Sequence, residues 1–211
     1  MPLRCIVFDC DGVLLDSVPV KTRAFARLAE PYGSEAQARL ARYHMEHGGM
    51  SRYQKFAWFF REVLGREITE EESVSWGQRF AYFALDEVRR CAMISGAREM
   101  LDAWHARLPL YVCSGAPDGE LRQILREREL DRYFAGIFGT PPEKAELLAA
   151  IVRRANAAPE ETLMVGDSGT DREAAASVGT LFYGIGEALR GGLHPWGRDL
   201  TELSSFVAAR F

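Results

Sequence analysis

The hydrophobic pattern along the chain changes character twice. Residues 3–8, Leu3-Arg4-Cys5-Ile6-Val7-Phe8, form a short and nearly unbroken apolar run that stops at Asp9-Cys10-Asp11-Gly12. Similar runs recur at residues 108–113, closed by Ser114-Gly115, and at 162–165, closed by Gly166-Asp167-Ser168-Gly169. A fourth covers 180–185, and Gly136-Ile137-Phe138 makes a shorter fifth. Short apolar runs bounded by turn formers predict strands buried on both faces. Helical periodicity covers 96–107, 118–128 and 142–156 between them. This alternation predicts an α/β fold, a Rossmann-like parallel sheet with helices on both faces. Ligands in such sheets bind beyond the carboxyl ends of the strands, where the Asp and Ser residues that close three of the runs fall.

Residues 17–91 break the alternation. The segment is helical in pattern throughout, with Phe56, Phe59, Phe60, Val63 and Leu64 at helical spacings that mark a bundle core. It predicts an all-helical domain, 17–91, inserted after the first strand of a core made of 1–16 and 92–211.

Composition narrows the partners. The 211 residues are 47% hydrophobic and 27% charged with a net charge of −4, which gives no electrostatic footprint for nucleic acid and favours a small-molecule ligand. No apolar run approaches the roughly 18 residues of a membrane span, and Met1-Pro2-Leu3-Arg4-Cys5 lacks a signal-peptide layout. Cys5, Cys10, Cys91 and Cys113 form no CxxC pair, so the expectation is reduced thiols in a cytoplasmic protein.

Two carboxylates one residue apart at a strand end, Asp9 and Asp11, can project toward one point, and Gly12 lets the chain turn away. One can attack phosphorus while the other donates a proton to the leaving oxygen. A phosphate dianion would repel the pair, so the site needs cations. Mg²⁺ is the natural one for hard oxygen ligands, and Asp167, with Asp171 four residues on, offers further carboxylates after another strand. Lys144 can offset phosphate charge and Ser114 can donate a hydrogen bond.

These motifs resemble, in order, the four motifs of the haloacid dehalogenase superfamily. Asp9-Cys10-Asp11-Gly12-Val13-Leu14-Leu15-Asp16-Ser17 is similar to the first and Val112-Cys113-Ser114-Gly115 to the second. Thr140-Pro141-Pro142-Glu143-Lys144 is similar to the third and Gly166-Asp167-Ser168-Gly169-Thr170-Asp171 to the fourth. The resemblance implies Asp9 as nucleophile, Asp11 as general acid and base, and Ser114, Gly115 and Lys144 at the phosphoryl group. It also implies Mg²⁺ held by Asp9, the Asp11 carbonyl and Asp167, with Asp171 in support. The activity implied is hydrolysis of a small phosphorylated metabolite through an aspartyl phosphate.

The insertion falls where this superfamily carries a helical cap. His47-Gly48-Gly49-Met50-Ser51-Arg52 resembles the specificity loop of the branch containing phosphoglycolate phosphatase and β-phosphoglucomutase, which implies that Arg52 meets an anionic substrate group. Lys21 stands where the mutase has a His that assists phosphoryl transfer. Sugar-phosphate phosphoryl transfer shares every core residue and stays open as an alternative reading, as does a phospho-accepting signalling domain.

Overall fold

The computed structural model describes residues 2–211. Its centre is a six-stranded, wholly parallel sheet in the order β3-β2-β1-β4-β5-β6. The strands are β1 (Cys5–Phe8), β2 (Leu110–Pro117), β3 (Gly136–Thr140), β4 (Thr162–Gly166), β5 (Leu181–Ile185) and β6 (Trp196–Gly197). β1 sits in the middle, pairing Ile6 with Leu110 on one side and with Leu163 on the other. An all-apolar central strand suits this position, because helices cover both of its faces. Ile6 and Phe8 face one core with Leu110, Val112, Leu163 and Val165, whereas Cys5 and Val7 face a second with Tyr111, Cys113 and Met164.

The core helices are α5 (Ala97–Trp104), α6 (Asp118–Glu127), α7 (Lys144–Arg154), α8 (Gly169–Val178) and α9 (Leu203–Ala208). Leu147, Leu148 and Ile151 of α7 and Ala174 and Ala175 of α8 fill the second core. Trp104 of α5 and Leu203 and Val207 of α9 fill the first. Most element ends shift by one to three residues from the sequence pattern, and two differences go further. β2 continues through Ser114 and Gly115 to Pro117, with an irregular register after Cys113, so the second motif lies within a strand rather than just past it. β6, only two residues long, is too short to leave a periodic signal.

Between β1 and α5 come four cap helices: α1 (Val18–Leu28), α2 (Ser34–Glu46), α3 (Arg52–Glu62) and α4 (Glu70–Arg90). Phe25, Phe56, Phe59, Phe60, Trp76 and Phe80 are buried together, with ring pairs such as Phe25–Phe80 at 4.6 Å between centroids. The aromatics at helical spacings are therefore bundle core. The two chain segments joining cap and core run side by side, with Asp16 N–H donating to the Ala92 carbonyl (2.9 Å) and Ile94 N–H to that of Leu14 (3.1 Å). Among the described residues no helix is long and apolar enough to cross a membrane.

Candidate active site

The strand order reverses direction at β1, and the crevice this opens at the carboxyl ends is where a doubly wound sheet binds its ligand. Asp9 follows β1, Ser114 lies in β2 and Asp167 follows β4, so three separate strands deliver groups to one place. Asp9 N–H donates to the Val165 carbonyl at 2.9 Å, which ties the first and fourth motifs together. Gly12 makes that closeness possible. Its φ is +82°, and a Cβ there would lie 2.1 Å from Asp167 Oδ2; only glycine fits both the turn and the contact.

Lys144, the first residue of α7, is buried at the centre of the carboxylates. Its Nζ donates to Asp9 Oδ1 at 2.7 Å and to Asp171 Oδ1 at 2.6 Å. Burial alone would lower its pKa, but Asp171 and Asp9 hold it well above the usual lysine value. Asp171 also caps α8: Ser168 donates to its Oδ2 through N–H at 3.1 Å and Oγ at 2.6 Å. Helix capping and support of the site are thus one role, since the cap fixes the carboxylate that fixes Lys144.

Carboxylate oxygens of Asp9, Asp167 and Asp171 lie within 4.8 Å of one another. Burial, reinforced by Asp171 and Asp11 and opposed by Lys144, pushes the Asp9 carboxyl up to about 7. Burial and the charges of Asp9 and Asp171 hold Asp167 well above the carboxylate range. One lysine does not offset three carboxylates, so the crowded acids hold on to protons unless a further cation joins them, and their all-oxygen donor set fits a hard divalent one.

Asp11 is the exception among these acids. Burial works to raise its pKa, but Lys21 and Ser17 hold it below the usual value. Lys21 Nζ donates to Oδ2 and Ser17 Oγ to Oδ1, each at 2.5 Å. Ser114 is fully buried, and its Oγ accepts from Ala116 N–H at 3.1 Å.

The cap loop reaches the core at Gly115, where a Cβ would lie 2.0 Å from the Gly49 carbonyl oxygen. Gly48 and Gly49 pack in the same way against Ser168 and Lys144. The tandem glycines thus enter the site. Arg52, which the sequence assigns to the substrate, is buried and lines the cavity, but its guanidinium is bound by Glu120 of α6, with Nη2 to Oε2 at 2.5 Å and Nη1 to Oε1 at 3.2 Å. It stacks on Phe80 at 4.5 Å. This fork joins cap to core.

Cap and core enclose a cavity of about 570 Å³ whose walls include Asp9, Asp11, Lys21, His44, Lys55 and Asp167. His44 and Lys55 have no counterpart among the residues read from the sequence. His44 ends the buried stripe Ala36-Leu40-His44 of α2, and Lys55 lies within the stripe Arg52-Lys55-Phe56-Phe59-Phe60 of α3. A basic residue on an otherwise apolar stripe was the signal that could have found them.

The profile of the haloacid dehalogenase-like hydrolases matches residues 3–179. The chain belongs to this family. A phosphorylated carbohydrates phosphatase from Thermotoga maritima is 27% identical over 205 residues, covering 90% of this chain and 88% of that protein. A phosphoglycolate phosphatase from Rhodospirillum rubrum is 29% identical over 188 residues, covering 83% and 76%. The crystal structure of β-phosphoglucomutase from Clostridium difficile superimposes with a TM-score of 0.78 at 16% identity, covering 99% of this chain and 96% of that one. At that identity the superposition establishes the haloacid dehalogenase-like fold, cap included, and not the activity.

Proposed function

We propose that this hydrolase is a Mg²⁺-dependent phosphatase that cleaves a small phosphorylated metabolite through an aspartyl phosphate on Asp9. The observation that carries the reading is the buried Asp9–Lys144–Asp171 chain beside Asp167, which fixes a carboxylate next to a cation-hungry cluster at the switch point of the sheet. The phosphatase names of the relatives from T. maritima and R. rubrum point the same way.

An Asp9 oxygen attacks phosphorus, the bond to the leaving oxygen breaks, and Asp11 gives that oxygen a proton. Asp11, now a carboxylate, takes a proton from a water that attacks the phosphoryl group, releasing inorganic phosphate and restoring Asp9. Lys144 positions the nucleophile and offsets charge on the phosphoryl oxygens, and Ser114 and Gly115 line the phosphoryl side. Asp9, the Asp11 carbonyl and Asp167, with Asp171 in support, would hold Mg²⁺, which would supply positive charge to the carboxylates and the phosphoryl group. Lys21 and Ser17 keep Asp11 ionised at rest, the form the second step needs. The first step needs the other form, so substrate binding must loosen Lys21 from Asp11 or bring a proton with it.

A cytoplasmic setting suits the four free cysteines, of which Cys5, Cys10 and Cys113 are buried. The test is rapid acid quenching after mixing with ³²P-labelled para-nitrophenyl phosphate and Mg²⁺. A labelled protein that disappears in Asp9→Asn, with inorganic phosphate as product, supports the mechanism. Label retained in Asp9→Asn refutes it, and transfer of phosphate to an added sugar in place of its release would make the protein a mutase.

A further inference from the structure

Only three of the 26 basic residues are lysines, Lys21, Lys55 and Lys144, and all three stand at the active site. Two have assigned partners, since Lys144 is bound by Asp9 and Asp171, and Lys21 by Asp11. Lys55 has none of that kind. It is 2% exposed, and among the described residues no carboxylate comes within ion-pair distance of it. Its one hydrogen-bond partner is the imidazole of His44, with Nζ to Nδ1 at 2.8 Å, and its Nζ lies 5.4 Å from the centre of the Phe25 ring.

A buried ammonium has three donors and strong need of an anion. His44 cannot meet it. Toward an ammonium Nδ1 can only accept, so the ring is neutral; burial, Lys55 and Lys21 push its pKa down to about 3. Burial and the neighbouring Lys21 lower Lys55 itself to about 7. A packing residue at this position would gain by being apolar, because an unpaired buried charge opposes folding. Lys55 instead forms part of the cap wall of the cavity whose core wall carries Asp9 and Asp167. The other cation expected to meet substrate, Arg52, is already occupied by Glu120.

We propose that Lys55, positioned by His44, receives a second anionic group of the substrate, so that this enzyme selects phosphate esters carrying a carboxylate or a second phosphate on the same small skeleton. The phosphoryl group sits against the core carboxylates and the second anion sits against the cap, so one molecule spans the cavity. The anion supplies the ion-pair partner that Lys55 lacks. This rests on the phosphatase reading for the position of the phosphoryl group, and it goes further in naming the group at the other end and the residue that reads it.

The test compares three esters that share a two-carbon skeleton: 2-phosphoglycolate, ethylene glycol bisphosphate and the neutral 2-hydroxyethyl phosphate. Wild-type protein with Mg²⁺ should prefer one of the two bis-anionic esters over the neutral one, and which of them it prefers tells carboxylate from phosphate. Lys55→Met should lower kcat/KM for the preferred ester by about 10-fold or more and leave the neutral ester within about twofold. His44→Gln should show the same selectivity loss in weaker form, mainly in KM, because it disturbs the position of Lys55 and not its charge. Loss of a buried charge should also raise the melting temperature of Lys55→Met, which a purely structural lysine would not do.

Equal losses on all three esters, or wild-type turnover of the esters without preference among them, overturn the proposal. Calorimetric binding of the same esters separates it from the phosphatase reading. If wild type binds a bis-anionic ester more tightly than the neutral one, and Lys55→Met does not, the subsite stands even where no ester is hydrolysed and the phosphatase reading falls. Equal affinity of the three esters for wild type removes the subsite.

Discussion

Lys21 Nζ lies 2.5 Å from Asp11 Oδ2, so the acid that must protonate the leaving group rests as a carboxylate under a cation supplied by the first cap helix. The pair links cap to chemistry, since α1 carries Lys21 and Asp11 belongs to the core. Lys21→Met removes that cation and lets the Asp11 pKa rise. A general acid acts while protonated, so the alkaline limb of kcat for an alkyl phosphate should move to higher pH. The same limb for para-nitrophenyl phosphate, whose leaving group needs little protonation, should stay in place. Identical shifts for both substrates would show that Asp11 is not the proton donor.

Asp9→Asn should reduce phosphatase activity by about 10³-fold or more, because an amide does not form the acyl phosphate. The fold should persist, since Lys144 keeps Asp171 as a partner at 2.6 Å. Circular dichroism and a melting curve establish folding, and phosphate release measures activity. A folded Asp9→Asn protein with wild-type turnover would end the assignment.

Much of this site was legible in the sequence because polar residues that stop an apolar run are visible without coordinates. Asp9, Asp11 and Asp167 sit at such stops, and a parallel sheet necessarily gathers the carboxyl ends of its strands. Lys144 was legible through the ordered motifs, although only the structure shows it bound to both Asp9 and Asp171. What stayed hidden depends on which way a helix turns its side chains. Arg52 and Lys55 are both basic residues in the first turn of α3, yet one is held by Glu120, 68 positions away in sequence, and the other by His44. No periodicity fixes partners at that separation. Ser114 was misplaced relative to its strand for a simpler reason: Ser and Gly read as a stop, while pairing with β3 carries the strand on to Pro117.

Arg52 and Glu120 should behave as one unit. Arg52→Met and Glu120→Gln each loosen the closed cap, and a double-mutant cycle on stability should give a coupling of about 1–2 kcal/mol for so enclosed a pair. Because cap closure serves every substrate, KM should rise for para-nitrophenyl phosphate as well as for bis-anionic esters. A loss confined to bis-anionic esters would return Arg52 to the substrate and leave Glu120 incidental.

Removal of metal should be readable without turnover. An unfolded Asp loses its proton near about 3.9, whereas Asp9 in the folded protein is pushed up to about 7. Between those values the folded state binds more protons, so the stability of EDTA-treated protein should fall as pH rises from about 4 through 7. Mg²⁺ at the cluster offsets the crowded charge; it should abolish this decline, raise the melting temperature at neutral pH and restore activity lost in EDTA. Asp167→Asn should be more stable than wild type without metal and gain less from Mg²⁺. Equal melting temperatures with and without Mg²⁺ at pH 7 would argue against a cation at these aspartates.

Lys55 predicts a pH dependence of opposite sign. The groups set around it are His44 on α2, Lys21 on α1, Lys144 on α7, and the core acids Asp11 and Asp167. Burial and Lys21 lower its pKa to about 7, while an unfolded lysine keeps its proton to about 10.4. Between those values the unfolded state binds more protons, so the Lys55 contribution to stability should improve as pH rises from about 7 toward 10. Below about 7 the lysine is charged in both states and its burial opposes folding at full strength. Lys55→Met should therefore be more stable than wild type at pH 6, and the difference should shrink steadily as the pH approaches 10. Melting curves of both proteins across that range, with Mg²⁺ saturating throughout to silence the aspartates, measure the difference directly. A constant offset between the two would mean that Lys55 keeps an ordinary lysine pKa in the fold and already has an anionic partner.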